Sequence, residues 1–106
     1  MTINNHWIDN SQQLAELCEQ LKSATELAID TEFMRSDTFF AKLALIQLSD
    51  GEQCWLIDTP AIEELQPLTG LLNQPQLTLV FHSCGEDLEV LDQVLSVRPK
   101  KLFDSQ

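Results

Sequence analysis

Two carboxylates interrupt an otherwise apolar stretch, Leu27-Ala28-Ile29-Asp30-Thr31-Glu32-Phe33. Its ends have the composition of a core strand, yet Asp30 and Glu32 occupy its middle. In a strand, residues i and i+2 point to one face with Cα atoms about 6.5 Å apart. Asp30 and Glu32 therefore project together with Ala28, while Ile29, Thr31 and Phe33 take the opposite face. Two carboxylates side by side on a buried face repel each other. A divalent cation between them removes the conflict, and Mg²⁺ in particular is held by hard oxygen ligands of this kind. An Asp-x-Glu pair is also common at solvated strand ends, so the pair by itself does not decide between these readings.

A second group of candidates lies in "FHSCGEDLEVL", residues 81–91. Asp87, Leu91 and Val94 stand at i, i+4 and i+7, which puts Asp87 in the first turn of a helix, on its sheet-facing stripe. Glu86 and Glu89 turn away toward solvent. The helix macrodipole alone favours an acid in a first turn. What sets Asp87 apart is its delivery: the acid-free strand "LTLVF", residues 77–81, brings it to the sheet edge expected to carry Asp30 and Glu32.

The elements that position these residues can be read along the chain. "HWI", residues 6–8, is a short strand. Asn10 is an N-cap with Gln13 in capping-box position, and Leu14, Leu17, Cys18 and Leu21 recur at helical spacing on one face. The acidic strand follows over 27–33, then strands over 43–48 and 54–58. The last two are joined by a turn at Asp50-Gly51 and should pair as an antiparallel hairpin. Pro60 breaks the chain, and residues 61–73 read as one or two short helices burying Leu65, Leu68, Leu71 and Leu72. After the strand at 77–81 comes a helix from about Gly85 to Leu95, with Leu88, Leu91, Val94 and Leu95 as its apolar stripe. Pro99 ends it, and residues 102–104 begin another apolar segment. The order β-α-β-β-β-α-β-α-β predicts a mixed sheet with packed helices.

Composition narrows the function classes. At 106 residues and 43% hydrophobic content the chain is one globular domain at most. It carries 17 acids against 6 Lys and Arg, a net charge of −11, which by itself argues against a duplex binder or a membrane-surface protein. Its bases are clustered: Arg35 and Lys42 flank the segment after the acidic strand, and Arg98, Lys100 and Lys101 lie near the end. Three cysteines without CxxC spacing fit reduced, packed thiols in the cytoplasm. His82-Ser83-Cys84 lacks the second pair of ligands a zinc site needs. No leader and no bilayer-length apolar run is present.

Taken together, "LAIDTEFMRSDTFFAKLALIQLSDGEQCWLID" and "FHSCGEDLEVL" resemble the ribonuclease D family of 3′-to-5′ exonucleases, part of the DEDD group with its RNase H-like α/β fold. The family's first motif, an Asp-x-Glu in a strand, is matched by Asp30-Thr31-Glu32. Its second, His-x-x-x-Glu-Asp-Leu after a short strand, is matched by His82, Glu86, Asp87 and Leu88, with the catalytic role on Asp87. The family's third motif, Tyr-x-x-x-Asp, has no counterpart, and the sequence contains no tyrosine. Residues 1–106 are therefore expected to be the N-terminal portion of an exonuclease domain, without its last helices or the family's C-terminal helical domains, and inactive alone.

The resemblance implies a two-metal site (Mg²⁺ or Mn²⁺) for phosphodiester hydrolysis at single-stranded RNA 3′ ends, tRNA precursors among them, releasing nucleoside 5′-monophosphates. Asp30 would bridge both ions, Glu32 would bind the first, and Asp87 would hold the second through water. His82, Arg35 and Lys42 are candidates for backbone contacts, and Phe33, Phe39 and Phe40 for base stacking. Core packing of the aromatics and a structural role for His82 are the plainer alternatives. A DNA-directed exonuclease, or a non-catalytic RNase H-like interaction domain, would use the same strands.

Overall fold

The computed structural model describes the backbone of residues 4–35, 41–81, 91–92, 95–99 and 101–104, and the side chains of all of these but 4, 33–35, 41–43 and 103–104. The chain runs β1 (Asn4–Ile8), α1 (Ser11–Leu21), β2 (Glu26–Arg35), β3 (Ala41–Ser49) and β4 (Gln53–Ile57). A 3₁₀ turn (Thr59–Ala61), α2 (Gln66–Leu72), β5 (Thr78–Phe81) and β6 (Lys101–Asp104) follow. Leu91, Asp92 and Leu95 are helical as well.

Local chemistry accounts for the boundaries. The Asn10 Oδ1 accepts the Gln13 N–H at 2.8 Å, satisfying one of the orphan donors at the start of α1. The Gln13 side chain in turn accepts the Asp9 N–H at 3.1 Å, one residue before the position an ideal capping box would use. Leu14, Leu17, Cys18 and Leu21 are all buried, as their spacing predicts. At the β3–β4 turn the Asp50 Oδ1 accepts the N–H groups of Glu52 and Gln53 at 2.9 and 2.8 Å. Gly51 takes a φ of 96°, open to glycine without steric cost. Of the one or two short helices expected over 61–73, one forms, α2, and a 3₁₀ turn at Thr59–Ala61 precedes it; Pro67 and Pro60 each stand in a first helical turn, where a missing N–H costs nothing.

The strands form a mixed sheet in the order β1-β4-β3-β2-β5-β6. The hairpin β3–β4 and the pair β2–β3 are antiparallel, whereas β1–β4, β2–β5 and β5–β6 are parallel. One face of the sheet is the core. Leu27 and Ile29 of β2, Ile46 and Leu48 of β3, Ile57 of β4, and Leu79 and Phe81 of β5 meet the buried leucines of α1 and α2 there. Leu91, Leu95 and Val97 complete it. Each fully buried leucine of this set stabilises the fold by about 1.5–3 kcal/mol relative to leaving it in water. Leu65 is only partly buried against this cluster. Leu88 and Val94, the other expected members of the late helix's stripe, lie outside the described side chains.

Candidate metal centre

Strand parity places the carboxylates as their spacing predicts. Leu27, Ile29 and Thr31 are buried, and Ala28, Asp30 and Glu32 alternate with them on the other face. One feature of that expectation needs correction. The face that carries Asp30 and Glu32 is exposed and not buried, so both can be hydrated and no burial conflict has to be relieved. β2 itself runs between β3 and β5 in the interior of the sheet. The carboxylates belong to the part of β2 that runs on beyond its register with β5, which reaches Ala28.

Strand pairing decides what surrounds them. Asp30 stands opposite Gln47, Ala28 opposite Ser49, and Glu32 opposite Leu45. The register then shifts so that Phe33 faces Leu43, leaving Ala44 as the extra residue on β3. A bulge of this kind bends and twists the strand locally and re-aims the side chains beside it. Asp30 Oδ1 accepts its neighbour's amide, Thr31 N–H, at 3.0 Å. Ala28, Ile29, Asp30, Gln47 and Ser49 border a hollow of about 290 Å³. Gln47 and Ser49 have no sequence signature of their own, since only the antiparallel register puts them there.

A larger hollow, of about 470 Å³, opens at the far margin of the sheet between β1, β4 and α1. His6, Trp7, Gln13, Glu16 and Trp55 are among its lining residues. His6 Nε2 and Gln53 Oε1 are 2.8 Å apart there, and the imidazole stacks on Trp55 with centroids 6.2 Å apart. With three strand spacings between β1 and β2, on the order of 14 Å, and a single acid, this hollow offers a hard cation far less than the carboxylate face does.

Parallel pairing of β2 with β5 sets Ala28 level with Val80, so Phe81, the last residue of β5, is level with Ile29. Asp87 and His82 lie outside the described residues, as do Phe39, Phe40 and Cys84. For Phe33, Arg35 and Lys42 the strand backbone is described and the side chains are not. Arg98, one of the late bases, is committed locally, its Nε donating to Asp92 Oδ1 at 2.8 Å.

The profile of the 3′-5′ exonuclease family matches residues 5–106. The chain belongs to that family. Among its relatives, ribonuclease D of Pseudomonas paraeruginosa is 41% identical over 100 residues, which cover 94% of this chain and 27% of that protein. Ribonuclease D of Escherichia coli is 40% identical over 104 residues, 98% of this chain and 28% of that one. The chain therefore spans roughly a quarter of the length of these curated relatives. The crystal structure of E. coli RNase D, an exoribonuclease involved in structured RNA processing, matches with a TM-score of 0.88 at 40% identity, covering 96% of this chain and 27% of that chain. Trypanosoma brucei RNase D in complex with RNA U12 matches with a TM-score of 0.86 at 23% identity, over 99% of this chain and 38% of that chain, a likeness of fold alone. The expected α/β, RNase H-like mixed sheet is thus the fold of this family.

As a donor set, two exposed carboxylates two residues apart on one strand suit a hard divalent cation such as Mg²⁺ or Mn²⁺. Among the described residues no three His, Cys, Asp or Glu side chains converge on one point, so a complete shell needs a further donor. Nor does any helix of the described residues have the length and apolarity to cross a membrane.

Proposed function

We propose that this exonuclease-family chain supplies the carboxylates of a divalent-metal-dependent 3′-to-5′ exoribonuclease of the ribonuclease D type. The observation that carries the reading is the common exposed face of Asp30 and Glu32 on β2, the strand whose parallel neighbour β5 precedes Asp87 in the sequence. Bound cations would supply activation of the attacking water and stabilisation of the leaving oxygen. Asp30 would hold both ions, Glu32 the first and Asp87 the second. The substrate is the 3′ end of single-stranded RNA, with precursors such as tRNA as natural targets and the cytoplasm as the place of action. Arg35 and His82 contact the phosphate backbone and Phe33 stacks on a base. Residues 1–106 form the N-terminal portion of the exonuclease domain, and the remaining metal ligand lies on a separate segment.

Titration of the ¹⁵N-labelled chain with Mn²⁺ tests this directly. Paramagnetic broadening should appear first, and together, at the amides of Asp30, Thr31, Glu32 and Asp87. Broadening scattered over the acidic surface would remove the site. With RNA present, the 106-residue chain should release no mononucleotides at a measurable rate; steady Mn²⁺-dependent release would show that the third motif is dispensable.

A further inference from the structure

Among the described residues, strand register gives Asp30 a single cross-strand neighbour. On the face that carries Asp30 and Glu32, β3 sets Ser49 opposite Ala28, Gln47 opposite Asp30 and Leu45 opposite Glu32. On the other side β5 ends at Phe81, one position short of Asp30. The hydrogen bonds already made separate the three β3 residues. Ser49 Oγ accepts the Gly51 N–H at 3.1 Å and so belongs to the β3–β4 turn. Leu45 has no polar side-chain atom. Gln47 is exposed, and among the described residues its carboxamide has no hydrogen-bond partner. Asp30 uses Oδ1 for the Thr31 N–H at 3.0 Å, which leaves Oδ2. Gln47 and Asp30 border the same hollow of about 290 Å³.

Directly opposed residues of an antiparallel pair have Cβ atoms about 4.5–5.5 Å apart, close enough for long side chains to interact. Gln47 therefore stands within reach of anything Asp30 holds. Its chemistry suits that place. A Lys or Arg opposite Asp30 would compete with a cation for the carboxylate, whereas a carboxamide carries no charge and offers both an acceptor and two donors. Mg²⁺ dehydrates reluctantly and keeps several waters when one or two carboxylates bind it, and groups that hydrogen-bond such a shell tune affinity and orientation. We propose that Gln47 is a positioning residue of the metal centre, its Oε1 accepting a hydrogen bond from the hydration shell of the divalent cation held by Asp30. The proposal rests on the reading of Asp30 as a metal-site carboxylate.

Mn²⁺ binding to the 106-residue chain, followed by the electron paramagnetic resonance signal of the free ion, tests it. Gln47→Met keeps a long, flexible side chain without the carboxamide and should bind Mn²⁺ about tenfold more weakly, the low end for loss of an outer-shell partner, at an unchanged urea midpoint. Gln47→Glu puts a charged oxygen in the place of Oε1 and should bind about tenfold more tightly, since affinity follows the charge of the ligand set. Gln66→Glu adds the same charge in the first turn of α2 and should leave affinity as it is. Wild-type affinity in Gln47→Met, or a Gln47→Glu chain that binds no more tightly than Gln66→Glu, overturns the proposal. Should Gln47→Met unfold, the Gln47→Glu comparison decides alone. Asp30→Asn tests the underlying reading separately. If it binds Mn²⁺ as the wild type does, the ion is not on Asp30 and both fall; if it loses the ion while the Gln47 variants behave as wild type, Asp30 keeps its role and Gln47 has none.

Discussion

Ala28 of β2 and Val80 of β5 are partners in parallel register. That pairing, and the pairing of β2 with β3 on its other side, set the surroundings of the candidate carboxylates. Two residues past Ala28 stands Asp30, opposite Gln47. One residue past Val80, β5 ends. A strand with carboxylates and a strand without them are thereby brought level.

Asp30→Asn should separate metal binding from folding. Asp30 is exposed and its Oδ1 accepts the adjacent Thr31 N–H, a bond an Asn oxygen can also accept. Stability should change by no more than about 0.5 kcal/mol, as for surface substitutions in general. The Mn²⁺ affinity should fall about tenfold or more, at least the loss seen when groups supporting a ligand are removed. Urea denaturation and the Mn²⁺ titration measure the two effects, and a large loss of stability with intact affinity would contradict the assignment.

Asp50 gives the β3–β4 turn a pH dependence of known sign. Backbone N–H groups of Gln53 and then Glu52 donate to its carboxylate and hold its pKa below the ordinary 3.8. A depressed folded-state value means the contribution is complete above the unfolded pKa and disappears as pH falls through the folded one. Asp50→Asn should therefore lower the urea midpoint at pH 7 and make no difference near pH 2. Because the group is exposed, solvent screens the effect and the midpoint shift should be modest. A midpoint gap that persists unchanged at pH 2 would assign the effect to something other than the charge.

Cys18 should be chemically silent in the native state. Burial against the core pushes its thiol up to about 11, and the thiolate is the reactive form. In a Cys54→Ser, Cys84→Ser background, iodoacetamide at pH 8 should label Cys18 only as fast as the chain unfolds. Mass spectrometry with and without urea checks this, and equal labelling rates in both would contradict it.

Ser96→Gly should stabilise the chain. The left-handed conformation of Ser96 costs an L-residue about 1–2 kcal/mol, and glycine pays no such cost but surrenders more entropy on folding. A net gain of about 0.5 kcal/mol is expected in urea denaturation. A loss would mean that the serine hydroxyl contributes a contact of its own.

The shared face of the candidate carboxylates was legible in the residues alone. The i, i+2 spacing of Asp30 and Glu32 set their shared face, and that face survives in the fold because side-chain alternation is a property of one strand and needs no partner. The same holds for α1, whose Asn10 cap and leucine spacing are local, and for the hairpin turned at Asp50-Gly51. Exposure was misjudged. A strand's composition says which face is apolar, whereas whether the polar face is covered depends on elements far away in the chain.

What the sequence by itself determined, then, is periodicity, caps and turns, because each arises from interactions within a few residues. Strand order was decided by tertiary structure: β2 placed between β3 and β5, Gln47 set beside Asp30, and Phe81 brought level with Ile29. So were the hydrogen bonds of Thr69 and Asn73 with Leu95, Ser96 and Arg98, which join residues more than 20 positions apart. Thr69 and Asn73 read as ordinary polar residues of a short helix. Their role exists only because packing of the buried leucines brings α2 against the end of another helix, and no local pattern encodes which polar group will then stand opposite which carbonyl.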